Sequence, residues 1–166
     1  MKLLYSDILP LGIDEAQETI INCFHQQLEH ADKLEIAVGY VSRASLEELD
    51  RLVEAHHIKS ICLIIGMYYI EGMPEGSYHT AVRLNKKWHD AGTGEIRIVR
   101  SFKYHGKLYC FYHDNVPFSA IIGSANLGVI KLDAGNRRQY EISSITTSAE
   151  ECQEISDFII RLKAPS

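Results

Sequence analysis

Two short apolar runs rich in β-branched residues, Lys33–Val41 and Ile58–Met67, flank a stretch in which Leu46, Leu49, Leu52 and Val53 recur at helical spacing. Two buried strands alternating with amphipathic helices imply βαβ crossovers and a partly parallel sheet. Upstream, Asp14 and Gln17 have the spacing of a capping box that opens a helix with an apolar face of Ile20, Ile21, Phe24 and Leu28. Ser45-Leu46-Glu47-Glu48 repeats that pattern for the second helix. A turn-rich segment with Gly72, Pro74 and Gly76 precedes a third helix carrying Ala81, Leu84 and Trp88. Beyond it, Glu95–Ser101, Lys107–Tyr112, Pro117–Ser124 and Tyr140–Thr146 read as strands with little helix between them. Ser148-Ala149-Glu150-Glu151 starts a last helix on Cys152, Ile155, Ile159 and Leu162. The expected class is α/β, with a mixed sheet flanked by helices.

At 166 residues the chain suits one domain, residues 1–166, able to bury roughly 70% of its unfolded surface. No apolar run approaches the ~20 residues of a membrane span, and residues 1–30 lack the parts of a secretory leader. Cys23, Cys62, Cys110 and Cys152 are scattered in apolar contexts, as reduced core residues of a cytoplasmic protein would be, without metal-ligand spacing. The net charge of −5 argues against a free-standing nucleic-acid binder, since phosphate neutralisation dominates such affinity. Charge is uneven, however. Ile96–Tyr112 contains no acidic residue but holds Arg97, Arg100, Lys103 and Lys107 beside His105. A second patch, Lys131, Arg137 and Arg138, is opposed only by Asp133. An anion can be held locally on such a chain.

The strands around residues 105–126 bring polar groups together. Period-two geometry puts His105, Lys107, Tyr109 and Phe111 on one strand face, and Phe118, Ala120, Ile122, Ser124 and Asn126 on one face of the next. With Asp114-Asn115 as a two-residue hairpin turn, His113 pairs with Val116, Lys107 faces Ile122 and His105 faces Ser124. Opposed residues point the same way, so His105, Lys107, Ser124 and Asn126 converge. The patch joins a nucleophile, a cation and an amide donor.

His105-Gly106-Lys107 followed by Gly123-Ser124-Ala125-Asn126 resembles the HxK…GSxN signature of the phospholipase D superfamily. The surrounding residues, through Gln139-Tyr140-Glu141 and including Ala37–Ser42 and Leu63–Met67, are most similar to the catalytic domain of NgoFVII/BfiI-type restriction endonucleases. Two departures stand out. Tyr112 occupies the place of the superfamily's Asp, which the restriction-enzyme branch also lacks. Gly123 lies 18 residues after His105, four more than in single-motif nucleases, a difference expected in the hairpin loop at 113–117.

This resemblance implies a phospholipase-D-like mixed sheet with helices on both faces, and a metal-independent, cofactor-free endonuclease acting on double-stranded DNA. His105 would attack phosphorus, and a symmetric homodimer would bring two copies of His105 to one site, because the chain holds a single HxK followed by GSxN. Lys107 and Asn126 would hold the non-bridging oxygens with support from Ser124, and Glu141 would orient a His105 ring. Arg100, Lys103, Arg137 and Arg138 are candidate phosphate contacts, with solvated surface charge an equally good reading. The resemblance also implies a C-terminal DNA-recognition domain outside this chain. The nuclease module of a helicase-linked restriction or defence complex would use the same residues; an inactive DNA-binding scaffold is a third alternative, disfavoured by the presence together of His105, Lys107, Asn126 and Glu141 and by the acidic net charge. A lipid-directed enzyme is disfavoured by the missing Asp, the single motif and the lack of a membrane-binding segment. Tyr68-Tyr69 suits packing better than base stacking, and His56-His57 sit at a helix end where the dipole favours them.

Overall fold

Seven strands form one sheet in a computed structural model that describes residues 1–131 and 139–166. The strands are β1 (Lys2–Tyr5), β2 (Lys33–Val38), β3 (Ser60–Ile65), β4 (Gly94–Ile98), β5 (Leu108–His113), β6 (Val116–Gly123) and β7 (Ile142–Thr146), in the order β1-β7-β6-β5-β2-β3-β4. The β2, β3 and β4 strands run parallel, and every other pairing is antiparallel. The expected crossovers are present: α2 (Arg43–Ala55) joins β2 to β3, while the short α3 (Tyr68–Glu71) and α4 (Glu75–Asp90) join β3 to β4. The class read from the sequence is the class found.

Helices cover both faces. On one side, α1 (Ile20–Leu28), α2 and α4 bury Phe24, Leu46, Leu49, Leu84 and Trp88 against Leu34, Ile36, Leu63, Tyr109 and Phe111. On the other, α5 (Ala149–Lys163) packs Cys152, Ile159 and Leu162 on Ala37, Ile64, Cys110 and Ala120. Full burial of each Leu, Ile or Phe side chain is worth roughly 1.5–3 kcal/mol, so the two layers hold the sheet between them.

Local details depart from expectation. Thr19, whose hydroxyl accepts from Asn22 N–H at 3.1 Å, caps α1, while Asp14 and Gln17 close a turn ahead of it. Ser42 and Ser45 form the box that starts α2, so that helix begins three residues earlier than read. Ser148 does cap α5, but the Glu151 carboxylate turns away to the Thr146 hydroxyl. The four-residue β1 was not anticipated, being too short to carry a readable period.

The hairpin between β5 and β6 corrects the register. Asp114 and Asn115 take φ of 49° and 63° and His113 pairs with Val116, as the turn chemistry demands. A bulge then intervenes, because Phe111 pairs with Ser119 and not with Phe118. Leu108 therefore faces Ile122, and Lys107 meets Gly123, whose N–H reaches the Lys107 carbonyl at 3.3 Å. The extra residues lengthen the strands, and the loop itself stays at two residues.

Candidate active site

Five segments end at one edge of the sheet. The C-terminal ends of β2, β3 and β6 and the N-terminal ends of β5 and β7 meet there, since antiparallel neighbours reverse direction. This edge receives Gly39–Ser42, Gly66-Met67, Tyr104–Lys107, Ser124–Asn126 and Glu141.

His105 does not sit on β5 but on the loop before it, with its ring exposed. The backbone at Gly39 packs directly beneath. A Cβ there would lie 3.1 Å from His105 Cδ2 and 3.5 Å from Asn126 Oδ1, so both side chains converge on the glycine. Asn126 is fixed by its oxygen, which accepts the Tyr40 N–H at 3.0 Å, and its amide N–H groups make no hydrogen bond among the described residues. The preceding carbonyl, that of Ala125, accepts from the buried Tyr109 hydroxyl at 2.8 Å. The Gly-Ser-Ala-Asn loop is thus pinned from inside the sheet.

Lys107 is only 6% exposed, and its ammonium donates to the His105 carbonyl at 2.5 Å. Burial pulls its pKa down, and the negative charge of Glu141 pushes it back up in part. The glycine between His105 and Lys107 is required by close approach: a Cβ at Gly106 would fall 2.5 Å from the Tyr104 hydroxyl. That hydroxyl is buried without a hydrogen-bond partner among the described residues, and burial pushes its pKa up to about 12.

Glu141 is laced to β1. Its N–H donates to Ser6 Oγ at 2.9 Å, and the Ser6 hydroxyl and N–H both reach its carbonyl at 3.2 Å. Its carboxylate accepts from Ser124 Oγ, which also takes the Ile142 N–H at 3.1 Å. Ser124 therefore links Glu141 to the pinned loop, and Glu141 bonds to Ser124 within the chain and not to His105.

Sequence reasoning missed a second layer. Tyr40 stands edge-on to His105, with ring centroids 6.0 Å apart, and donates its hydroxyl to Glu71 at 3.1 Å. Lys103 donates to the same carboxylate at 2.9 Å. The Lys103 ammonium and the Tyr40 hydroxyl hold Glu71 below the usual carboxylate range. Lys103 is thus ion-paired beside the site. Nothing in the spacing of residues 40, 71 and 103 signals this; only the crossover topology unites them. Ser6 carried no signal either.

Arg100 lies further off, on the groove between α4 and β4, with its main chain tied to the Pro165 carbonyl. Arg137 and Arg138 lie outside the described residues. Among the described residues no three His, Cys, Asp or Glu side chains come together as metal ligands. No described helix is long and apolar enough to cross a membrane.

The sequence of residues 18–166 matches the family model described as the NgoFVII restriction endonuclease N-terminal PLD domain. No curated protein matches the chain. Among solved structures the chain is similar to Nuc, a phospholipase D family member from Salmonella typhimurium, at 12% identity and a TM-score of 0.65, covering 99% of this chain and 93% of that one. NucT from Helicobacter pylori aligns at 13% identity and a TM-score of 0.61, covering 99% and 95%. Polyphosphate kinase from Porphyromonas gingivalis aligns at 11% identity and a TM-score of 0.58 over 99% of this chain and 26% of that chain. These likenesses are of fold, and one fold serves several chemistries.

Proposed function

Because this chain belongs to the family of NgoFVII restriction endonuclease N-terminal PLD domains, we propose that it hydrolyses DNA phosphodiester bonds through a covalent phosphohistidine, without a metal ion. At the coarser level it is a phospholipase-D-superfamily nuclease domain of the restriction-endonuclease type. What carries the finer reading is the convergence of His105 and Asn126 over Gly39, with Lys107 held beneath through the His105 carbonyl.

Displacement at phosphorus needs a nucleophile, positive charge around the phosphoryl oxygens and an acid for the leaving oxygen. An imidazole nitrogen of His105 attacks phosphorus; the bond to the leaving strand breaks, and its oxygen takes a proton from a second imidazole. Water then attacks the phosphohistidine, giving its proton to that second ring, and His105 is released. Lys107 and the amide N–H groups of Asn126 stabilise the non-bridging oxygens. Ser124 and Glu141 hold that pair in place, and Glu141 orients a His105 ring.

The second imidazole comes from a second copy across a two-fold axis, for His105-Gly106-Lys107 is the one His-x-Lys followed by Gly-Ser-x-Asn, and the other, His57-Ile58-Lys59, precedes β3 at the opposite edge of the sheet. An apolar cleft of about 640 Å³ supports this reading. It adjoins Lys107 and Gly106 and carries the exposed side chains of Met1, Ile122 and Phe158. The whole of residues 1–166 is read as one catalytic unit, and target selection as the work of a separate domain on its C-terminal side, in keeping with the acidic net charge.

The test is cleavage of plasmid DNA in excess EDTA with His105→Ala alongside. Cutting is expected to survive EDTA and vanish in the variant, and Asn126→Ala should lose on the order of 10²–10³ in rate. Cutting that stops with EDTA would replace this mechanism with a metal-dependent one. A protein inert in every form would be a scaffold.

A further inference from the structure

We infer that the groove between α4 and the free edge of β4 binds unpaired nucleobases of a strand leading away from His105. The inference rests on the phosphodiesterase reading above. The groove has a volume of about 700 Å³ and an apolar floor that includes Met73, Ile96 and Ile98. Two of its rings stand in solvent: Tyr69 is 61% exposed and Tyr78 is 49% exposed. Neither hydroxyl makes a hydrogen bond to the described residues. Isolated exposed tyrosines are ordinary, but two on one groove offer flat π faces that every base can use, whatever its sequence.

Charge and position narrow the occupant. Arg100 lies on the groove and forms no side-chain ion pair or hydrogen bond among the described residues, whereas Glu95 is held by Arg97 at 3.1 Å. One open guanidinium beside exposed rings suits a phosphate between stacked bases. Strand addition by a protein partner is blocked at the middle of β4, because Asn85 Oδ1 already takes the Ile96 N–H at 2.8 Å. The groove also leads to the site. Tyr68 lines it and lies 5.3 Å from the Tyr40 ring, which stands 6.0 Å from His105.

The experiment measures binding of a labelled ten-residue oligothymidine and of a duplex of equal length to the His105→Ala chain, which separates binding from cleavage. The single strand should bind more tightly than the duplex, and Tyr69→Ala and Tyr78→Ala should each weaken it about fivefold to a hundredfold. Tyr69→Phe and Tyr78→Phe should bind as the parent, which excludes a folding defect. Arg100→Gln should lower the salt slope by about one ion. A double Tyr69→Ala/Tyr78→Ala chain that binds like its parent overturns the inference, and so does absence of oligonucleotide binding in every form. Hydrolysis of bis(4-nitrophenyl) phosphate by chains retaining His105 reads the catalytic site separately. It should be unaffected by the tyrosine variants, and its absence from the wild type would defeat the phosphodiesterase reading while the binding result stood on its own.

Discussion

Lys107 keeps its ammonium on the His105 carbonyl while almost wholly buried, so the residue proposed to supply positive charge also fixes the loop that carries the proposed nucleophile. Its burial has a readable consequence. Activity that needs the cation is lost as pH rises through the Lys107 pKa, and that alkaline limb should fall below the 10.5 of a free lysine. Glu141 is what raises the value, so Glu141→Gln should move the limb to still lower pH in a pH–rate profile. An unmoved limb would detach Glu141 from Lys107. Gly39 gives a second prediction. In Gly39→Ala the new methyl would press on His105 Cδ2 at 3.1 Å and Met67 Cγ at 3.2 Å. The exposed imidazole is the part free to yield, and displacing it should cost up to about 10²-fold in turnover with the melting temperature little changed. Turnover like the wild type would mean that the ring tolerates the shift. At this scale His105, Lys107, Ser124, Asn126 and Glu141 were legible in the sequence as candidates, because one local motif carries most of them. Tyr40, Glu71 and Ser6 were not, because each reaches the site from a different crossover.

Among the elements, β2, β5 and α5 are tied by a buried carboxylate. Glu35, 2% exposed, accepts from the Tyr112 hydroxyl and the Lys163 ammonium, both at 2.6 Å. Burial alone would raise its pKa, but those hydrogen bonds and the charges of Lys163 and Lys33 outweigh it, and the value lies below the usual one. A depressed carboxylate contributes stability that is complete above its unfolded pKa and disappears as pH falls through the folded one. Stability should therefore decline with acid below about pH 4.3, and Glu35→Gln should flatten that decline in urea titrations across the window. Lys163→Ala leaves the buried charge short of its main cation and should cost about 3–5 kcal/mol at neutral pH. A loss below ~1 kcal/mol would show the tie to be incidental. The helices were legible from their apolar stripes even where the cap was misplaced, since burial of the stripe outweighs any single cap. The bulge at Phe118 was not: period-two counting assumes an unbroken ladder, and one extra residue moves every later pairing by one.

For the molecule as a whole, the decisive matter is whether one chain can complete its own site. The chain, of 18.8 kDa, should sediment as a species of twice that mass. Ile122→Glu, which places a charge in the apolar cleft beside Lys107, should yield a folded monomer that has lost cleavage. Monomer and activity together in that variant would remove the two-fold site. The fold class itself was legible because alternation of apolar strands and amphipathic helices leaves few topologies open. The proposed two-fold assembly rests on the resemblance alone, since no residue pattern in one chain reveals its copy.

Tyr112 and Glu35 have one more implication. Read as a string, the chain lacks the acidic residue that the superfamily carries seven places after its histidine. Folded, the tyrosine that fills that place donates its hydroxyl to a carboxylate supplied by the neighbouring strand. A signature is then better written as an arrangement in space than as letters in a row. Chains discarded for a missing acid are worth inspecting one strand over.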